Sequence, residues 1–259
     1  MTPAGVTERS VRIGGESIRV WEKGTGTPLG VLAGLGGLNE WTPFLDALAA
    51  KRRVIVPSLP GFPGGGLLHK QLDTLADWIT CTLDLLEAAG LDGAELVGHS
   101  IGGLLAAEAA AFSRATVKSL VLIAPFGLYD ENDPPGDPFN RRANELAALF
   151  STKPDEFQKT RLTPPAGQTP DEQIEWTIVQ TRAVESASRL LWPLGELGLK
   201  KRLHRITCSV KLVWGAEDRI IPASYAKRFA SGLAGGTEIQ VIPGAGHAVD
   251  FDAPGAVKL

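Results

Sequence analysis

Cysteine is nearly absent from this chain, with two in 259 residues, and methionine and tyrosine are scarcer than usual, at one and two. Cys81 and Cys208 are far apart and match no C-x-x-C or other ligand spacing, so neither a disulfide framework nor a zinc site is expected, and both read as reduced thiols. An excess of charge of either sign is also missing. The net charge is −3 and no basic run occurs, which argues against nucleic acid or an anionic membrane as partner. The clusters at 51–53 and 200–202 read as solvated ends of elements. No apolar stretch is long enough to span a bilayer, the longest lying near 120–128, and the polar residues 1–10 have no apolar leader core. A cytoplasmic protein acting on a small molecule, as monomer or homodimer, is the expectation.

Glycine is plentiful, at 30 residues, but it does not build a nucleotide loop. In the run 33–37 the third glycine of G-x-G-x-x-G falls on Asn39, and no Gly-Lys-Ser/Thr phosphate loop is present. A reaction without a cofactor or metal follows as an expectation.

Short apolar runs recur at 17–21, 29–32, 54–57, 94–97, 117–124, 210–214 and 238–242, with helical patterns between them at 42–50, 72–89, 101–112 and 224–233. Such alternation predicts an α/β fold with a mostly parallel sheet covered on both faces, and residues 11–13 with 18–21 predict an antiparallel hairpin at one edge. The alternation stops once. Residues 126–205 are rich in proline, show no strand, and carry helical patterns at 140–150 and 171–186. The expected organisation is therefore a core of residues 1–125 and 206–259 with a helical cap, 126–205, inserted into it. Charges balance across the cap, so its expected contribution is an apolar wall from Phe139, Phe150, Trp176 and Trp192 rather than a charge clamp.

Within the core, Ser100 stands between Gly98 and Gly102 where an apolar strand meets a helix of small residues. A serine on so tight a turn holds a strained backbone and points its hydroxyl away from the sheet, and its neighbours must be small. Serine is a weak nucleophile without a base, and the base needs a third group to fix its tautomer. Of the four histidines, His247 lies in a glycine-flanked loop, 243–247, directly after a strand, where loops carry chemistry. His99 is expected to be packed away from the serine, and His69 and His204 to lie near the surface. The acid is sought in the loop 215–222 after another strand. Asp218 is preferred there, Glu217 competes, and Asp250 and Asp252 follow the histidine too closely to be favoured. Two backbone N–H donors for an oxyanion are expected from Ile101 and from Leu35 in the open loop 33–37, with Gly34 beside the substrate.

The order Ser100, Asp218, His247, together with the Gly98 to Gly102 turn, the 215–222 loop and a cap after the sixth main strand, resembles the α/β-hydrolase family over nearly the whole chain. That resemblance implies an eight-stranded sheet and the roles of nucleophile, acid and base for these residues, and it places Asn39, Trp41 and Phe126 near the nucleophile. Within the family the chain is most similar to capped serine esterases and to carbon-carbon bond hydrolases of aromatic degradation. Three departures stand out. Ala33 precedes Gly34 where many relatives have histidine, Ala248 follows His247 where carbon-carbon hydrolases often have tryptophan, and the chain stops at Leu259 soon after Pro254, so a short final helix is expected to leave one sheet face partly uncovered. A serine hydrolase of small or medium apolar carboxylic esters is the expectation. Carbon-carbon hydrolysis, lactonase, thioesterase or cofactor-free haloperoxidase activity are alternatives, as is a ligand-binding sensor on the same fold.

Overall fold

The computed structural model describes residues 4–259; the first three residues of the polar stretch 1–10 lie outside it. Among the described residues the strands form one eight-stranded sheet: β1 (Thr7–Ile13), β2 (Glu16–Lys23), β3 (Pro28–Leu32), β4 (Arg53–Pro57), β5 (Ala94–His99), β6 (Val117–Ile123), β7 (Ser209–Gly215) and β8 (Thr237–Ile242), ordered β1-β2-β4-β3-β5-β6-β7-β8. The β1/β2 and β2/β4 pairs are antiparallel and the remaining pairs parallel, which is the expected edge hairpin on a parallel sheet.

Sequence signals set the helices that cover it. Thr42 caps α1 (Pro43–Ala49) by accepting from the Leu45 N–H, with proline at the first helical position. A reciprocal capping box between Thr74 and Asp77 starts α2 (Leu75–Ala88). The helical pattern read from residue 72 thus begins late, a short 3₁₀ turn at Leu68–Gln71 preceding it. Residues of α2, α3 (Ser100–Phe112) and α7 (Tyr225–Gly232) build the larger core on one face, with Trp78, Leu104 and Phe229 fully buried. The other face packs Phe44, Leu45 and Leu48 of α1 and Val249 of α8 (Val249–Asp252) against Val31, Val97 and Val213.

The final helix is short, as expected, but the consequence differs. Residues after it run back along β8, where Gln240 Nε2 donates to the Ala256 carbonyl (2.7 Å), and Ala256 and Val257 pack on the smaller core. The exposed apolar side chains of β8, Ile239 and Val241, are in register with Leu212 and Trp214 and so point to the opposite face, at the side of α7.

The segment between β6 and β7 holds α4 (Ala143–Phe150), α5 (Pro154–Arg161) and α6 (Pro170–Leu191). Thr169, Pro170 and Glu172 start α6 with another capping box. Apolar periodicity gives no sign of α5, since Phe157 is its one buried side chain; its signals are Pro154, the acidic pair Asp155 and Glu156 in the first turn, and Lys159 and Arg161 in the last. On α6, Ala183, Ala187, Leu190 and Leu191 join the larger core, fastening this helix to the sheet domain.

Candidate active site

Ser100 sits at the carboxyl end of β5 with φ of +56°, a left-handed backbone that a side-chain-bearing residue adopts at a cost of roughly 1–3 kcal/mol. What permits the turn is the absence of side chains beside it. A Cβ on Gly98 would lie 2.6 Å from the Gly102 carbonyl oxygen, and one on Gly102 would lie 2.3 Å from the Leu32 carbonyl oxygen. The first turn of α3 is thereby pressed onto both β5 and the end of β3.

Three strand ends converge on this turn. The Ser100 hydroxyl donates to His247 Nε2 (2.8 Å), and His247 Nδ1–H donates to Asp218 Oδ2 (2.9 Å). The second oxygen of Asp218 accepts from the N–H groups of Ile220 (2.8 Å) and Ile221 (2.9 Å), so the loop after β7 holds the carboxylate in one orientation. All three side chains are shielded from solvent. The other acids do different things. Glu217 is exposed. Asp252 accepts from Ser151 Oγ (2.5 Å), Thr152 N–H (3.1 Å) and Gly246 N–H (2.7 Å), tying the α4–α5 junction to the His247 loop. Asp250 pairs with Arg161 (3.2 Å).

The loop 33–37 lies directly against the serine, since a Cβ on Gly34 would approach Ser100 Cβ to 3.1 Å. Leu35 follows Gly34 in this loop and Ile101 follows Ser100 in the first turn of α3, so both expected N–H donors belong to segments next to the serine. Such a site can deliver a serine oxygen to an electrophilic carbon while a histidine removes its proton.

A cavity of about 500 Å³ lies between this centre and the inserted helices. Gly34, Leu35, Asn39 and Trp176 line it as anticipated, with Phe139 and Phe150, and Phe157 of the unforeseen α5 joins them. The Phe150 ring stands edge-on to His247 at 5.8 Å. Three expected lining residues are elsewhere. Trp41, just before α1, is buried in the smaller core, edge-on to Trp21 and donating to Asp46 (2.9 Å), which keeps its ring out of the cavity. Trp192 follows the last residue of α6, is 52% exposed, and touches the outside of Phe139. Phe126 packs edge-on to His247 at 6.1 Å from the larger core and lines a small depression next to it rather than the cavity.

Charge is present where none was expected. Arg161 and Asp250 both line the cavity, and Gln180 Nε2 donates to Asn39 Oδ1 (3.0 Å) across it. Two histidines also depart from expectation. His69 is completely buried beneath α6, 3.6 Å from Glu185, and burial lowers its pKa. His99, expected to pack away from the centre, has its ring 5.2 Å from that of His247. The thiols carry no chemistry here: Cys81 is buried and its pKa pushed up to about 12, while Cys208 is half-buried. No helix among the described residues is long and apolar enough to cross a membrane.

Comparison with known proteins agrees with this architecture. The family model described as "Alpha/beta hydrolase family" matches residues 31–258. The dihydrolipoyllysine-residue acetyltransferase component of the acetoin cleaving system of Pseudomonas putida is 33% identical over 96% of this chain, which spans only 66% of that relative's length. The 2-hydroxy-6-oxo-6-phenylhexa-2,4-dienoate hydrolase of Comamonas testosteroni is 24% identical over 87% of this chain and 83% of its own. Among solved structures, a serine hydrolase involved in carbazole degradation superposes with a TM-score of 0.73 at 23% identity, covering 96% of this chain and 94% of the other. By the family match over most of its length, the chain belongs to the α/β-hydrolase family.

Proposed function

We propose that the chain is a serine hydrolase whose catalytic residues are Ser100, His247 and Asp218, acting on small or medium apolar carboxylic esters beneath a cap formed by residues 126–205. His247 takes the proton as Ser100 Oγ attacks the carbonyl carbon, Asp218 holds the imidazole and stabilises its cation, and the N–H groups of Leu35 and Ile101 receive the oxyanion. His247 then returns the proton to the leaving alcohol. Water, activated by the same histidine, releases the acid from the acyl-enzyme. The observation that carries this reading is the unbroken hydrogen-bonded run from Ser100 through His247 to Asp218, beside a cavity lined by their neighbours Gly34, His99 and Ala248 and walled by Phe139, Phe150, Phe157 and Trp176.

Hydrolysis of a carbon-carbon bond is the second reading. It is favoured by relatives named as 2-hydroxy-6-oxo-dienoate hydrolases and by Arg161, a cation in the cavity wall that could face an acidic substrate. Against it stands the pairing of Arg161 with Asp250, which neutralises that cation. A fluorophosphonate probe should label the protein, with Ser100→Ala unlabelled; absence of labelling in the unmodified protein would sink the serine-hydrolase reading. A panel of p-nitrophenyl esters, assayed beside dienoate ring-cleavage products, decides between the two substrates.

A further inference from the structure

The residue before the nucleophile has more to do than complete a strand. His99 Nε2–H donates to the main-chain carbonyl of His247 (2.8 Å), the residue whose side chain is the proposed base. The other edge of its ring lies against the oxyanion loop: a Cβ on Gly34 would come within 2.8 Å of His99 Nδ1 and 3.2 Å of Cε1, so only a bare backbone fits there. One imidazole thus fills the space between the loop after β3 and the loop after β8, while its own backbone leads into Ser100. No backbone hydrogen bond pairs β3 with β8, since β5, β6 and β7 lie between them in the sheet. Beyond the sheet that carries both loops, His99 is a side chain that touches each of them directly.

The surroundings of the ring also favour a fixed donor. The nitrogen that faces away from His247 is 3.6 Å from Asp250 Oδ1, and the other oxygen of that carboxylate is held by Arg161. Burial keeps the His99 pKa below the ordinary histidine value against the upward pull of Asp250. A neutral ring with its proton on Nε2 satisfies the His247 carbonyl without placing a cation beside the base.

We propose that His99 is a positioning residue, setting the His247 loop against the oxyanion loop so that base and oxyanion donors stay in register around Ser100. A displacement of about 1 Å at such a site can cost up to 10²-fold in rate, so the hydrogen bond is worth more to catalysis than to folding. Its effect on rate rests on the serine-hydrolase reading above; its effect on the geometry of His247 does not.

The test compares His99→Gln, whose amide nitrogen can take the place of Nε2, with His99→Asn, whose amide is too short, and His99→Phe, which keeps a ring but no donor. Fluorophosphonate labelling should slow about tenfold or more in the Phe and Asn variants and stay within about threefold of the original in the Gln variant. In parallel, the low-field proton resonance of His247 Nδ1–H, bonded to Asp218, should be sharp in the original and the Gln variant and broadened or lost in the other two. If the Phe variant fails to fold, the Gln and Asn pair decides. Labelling at the original rate in the Phe and Asn variants, or equal slowing in Gln and Asn, overturns the proposal. Should the unmodified protein not label at all, the serine-hydrolase reading falls, and a low-field proton unchanged across all the folded variants would still overturn the role of His99.

Discussion

The sheet domain and the inserted segment solve different problems with different kinds of order. In the sheet domain, Ser100 directly follows β5 while Asp218 and His247 lie in the loops after β7 and β8, and the register of β5, β6, β7 and β8 brings those strand ends to one edge. In the insert, the cavity wall comes from one face of α6 and a few rings of α4 and α5, fixed by helix phase and packing. The Ser100, Asp218 and His247 side chains are thus brought together by strand register, and the cavity by side-chain contacts. The first should tolerate no substitution of its key groups, whereas the second should yield gradually.

Replacing Ser100 by alanine should lower ester turnover by about 10³-fold or more, leaving only oxyanion and binding effects. Steady-state kinetics on p-nitrophenyl acetate measure it, and retention of most activity would break the comparison at its root. Next in size is Asp218→Asn, expected to cost roughly 10²- to 10⁴-fold in kcat through loss of the tautomer that presents Nε2 to the serine. Glu217→Gln, on the same loop but exposed, should remain within about twofold; the reverse ranking would move the acid. In the insert, Trp176→Ala should raise KM for longer acyl chains by about tenfold, the loss of part of an aromatic wall, with little change for acetate. Trp192→Ala should alter neither, and equal effects of the two tryptophans would show that the cavity wall is drawn wrongly. The smallest effect concerns the seam between the regions. Because burial depresses the His69 pKa, the folded protein resists protonating it, and stability falls as pH is lowered through the ordinary histidine range toward the depressed value. Thermal unfolding of His69→Phe followed from pH 7 to pH 5 should show a shallower loss than the unmodified chain; parallel curves would remove His69 from the seam.

The positions of the strands along the chain and the glycines around Ser100 were legible because they answer to local rules, alternating apolar runs and a turn too tight for a Cβ. The Asp218 loop was legible to within one residue, and only the direction of the carboxylate, set by the Ile220 and Ile221 N–H groups, separates it from Glu217. Trp41 and Trp192 lie just outside helices, before α1 and after α6, and an aromatic residue at such a junction carries no periodicity that says which way its ring points. The pairing of Arg161 with Asp250 joins residues 89 apart on two elements whose meeting no periodicity announces. The helix that carries Arg161 was signalled by its proline and its charged ends, not by an apolar stripe.

Asp252 connects the two kinds of order. Its carboxylate holds the backbone before His247 and the junction of α4 and α5 at once, so the His247 loop is anchored partly to the insert. For a protein engineer this defines a suture line: an insert taken from another member of the family should dock without disturbing His247 if it brings a hydroxyl and a free N–H to the positions of Ser151 and Thr152. Diversification of the cavity can then proceed by grafting whole helices, with the hydrogen-bonded run of Ser100, His247 and Asp218 left in place.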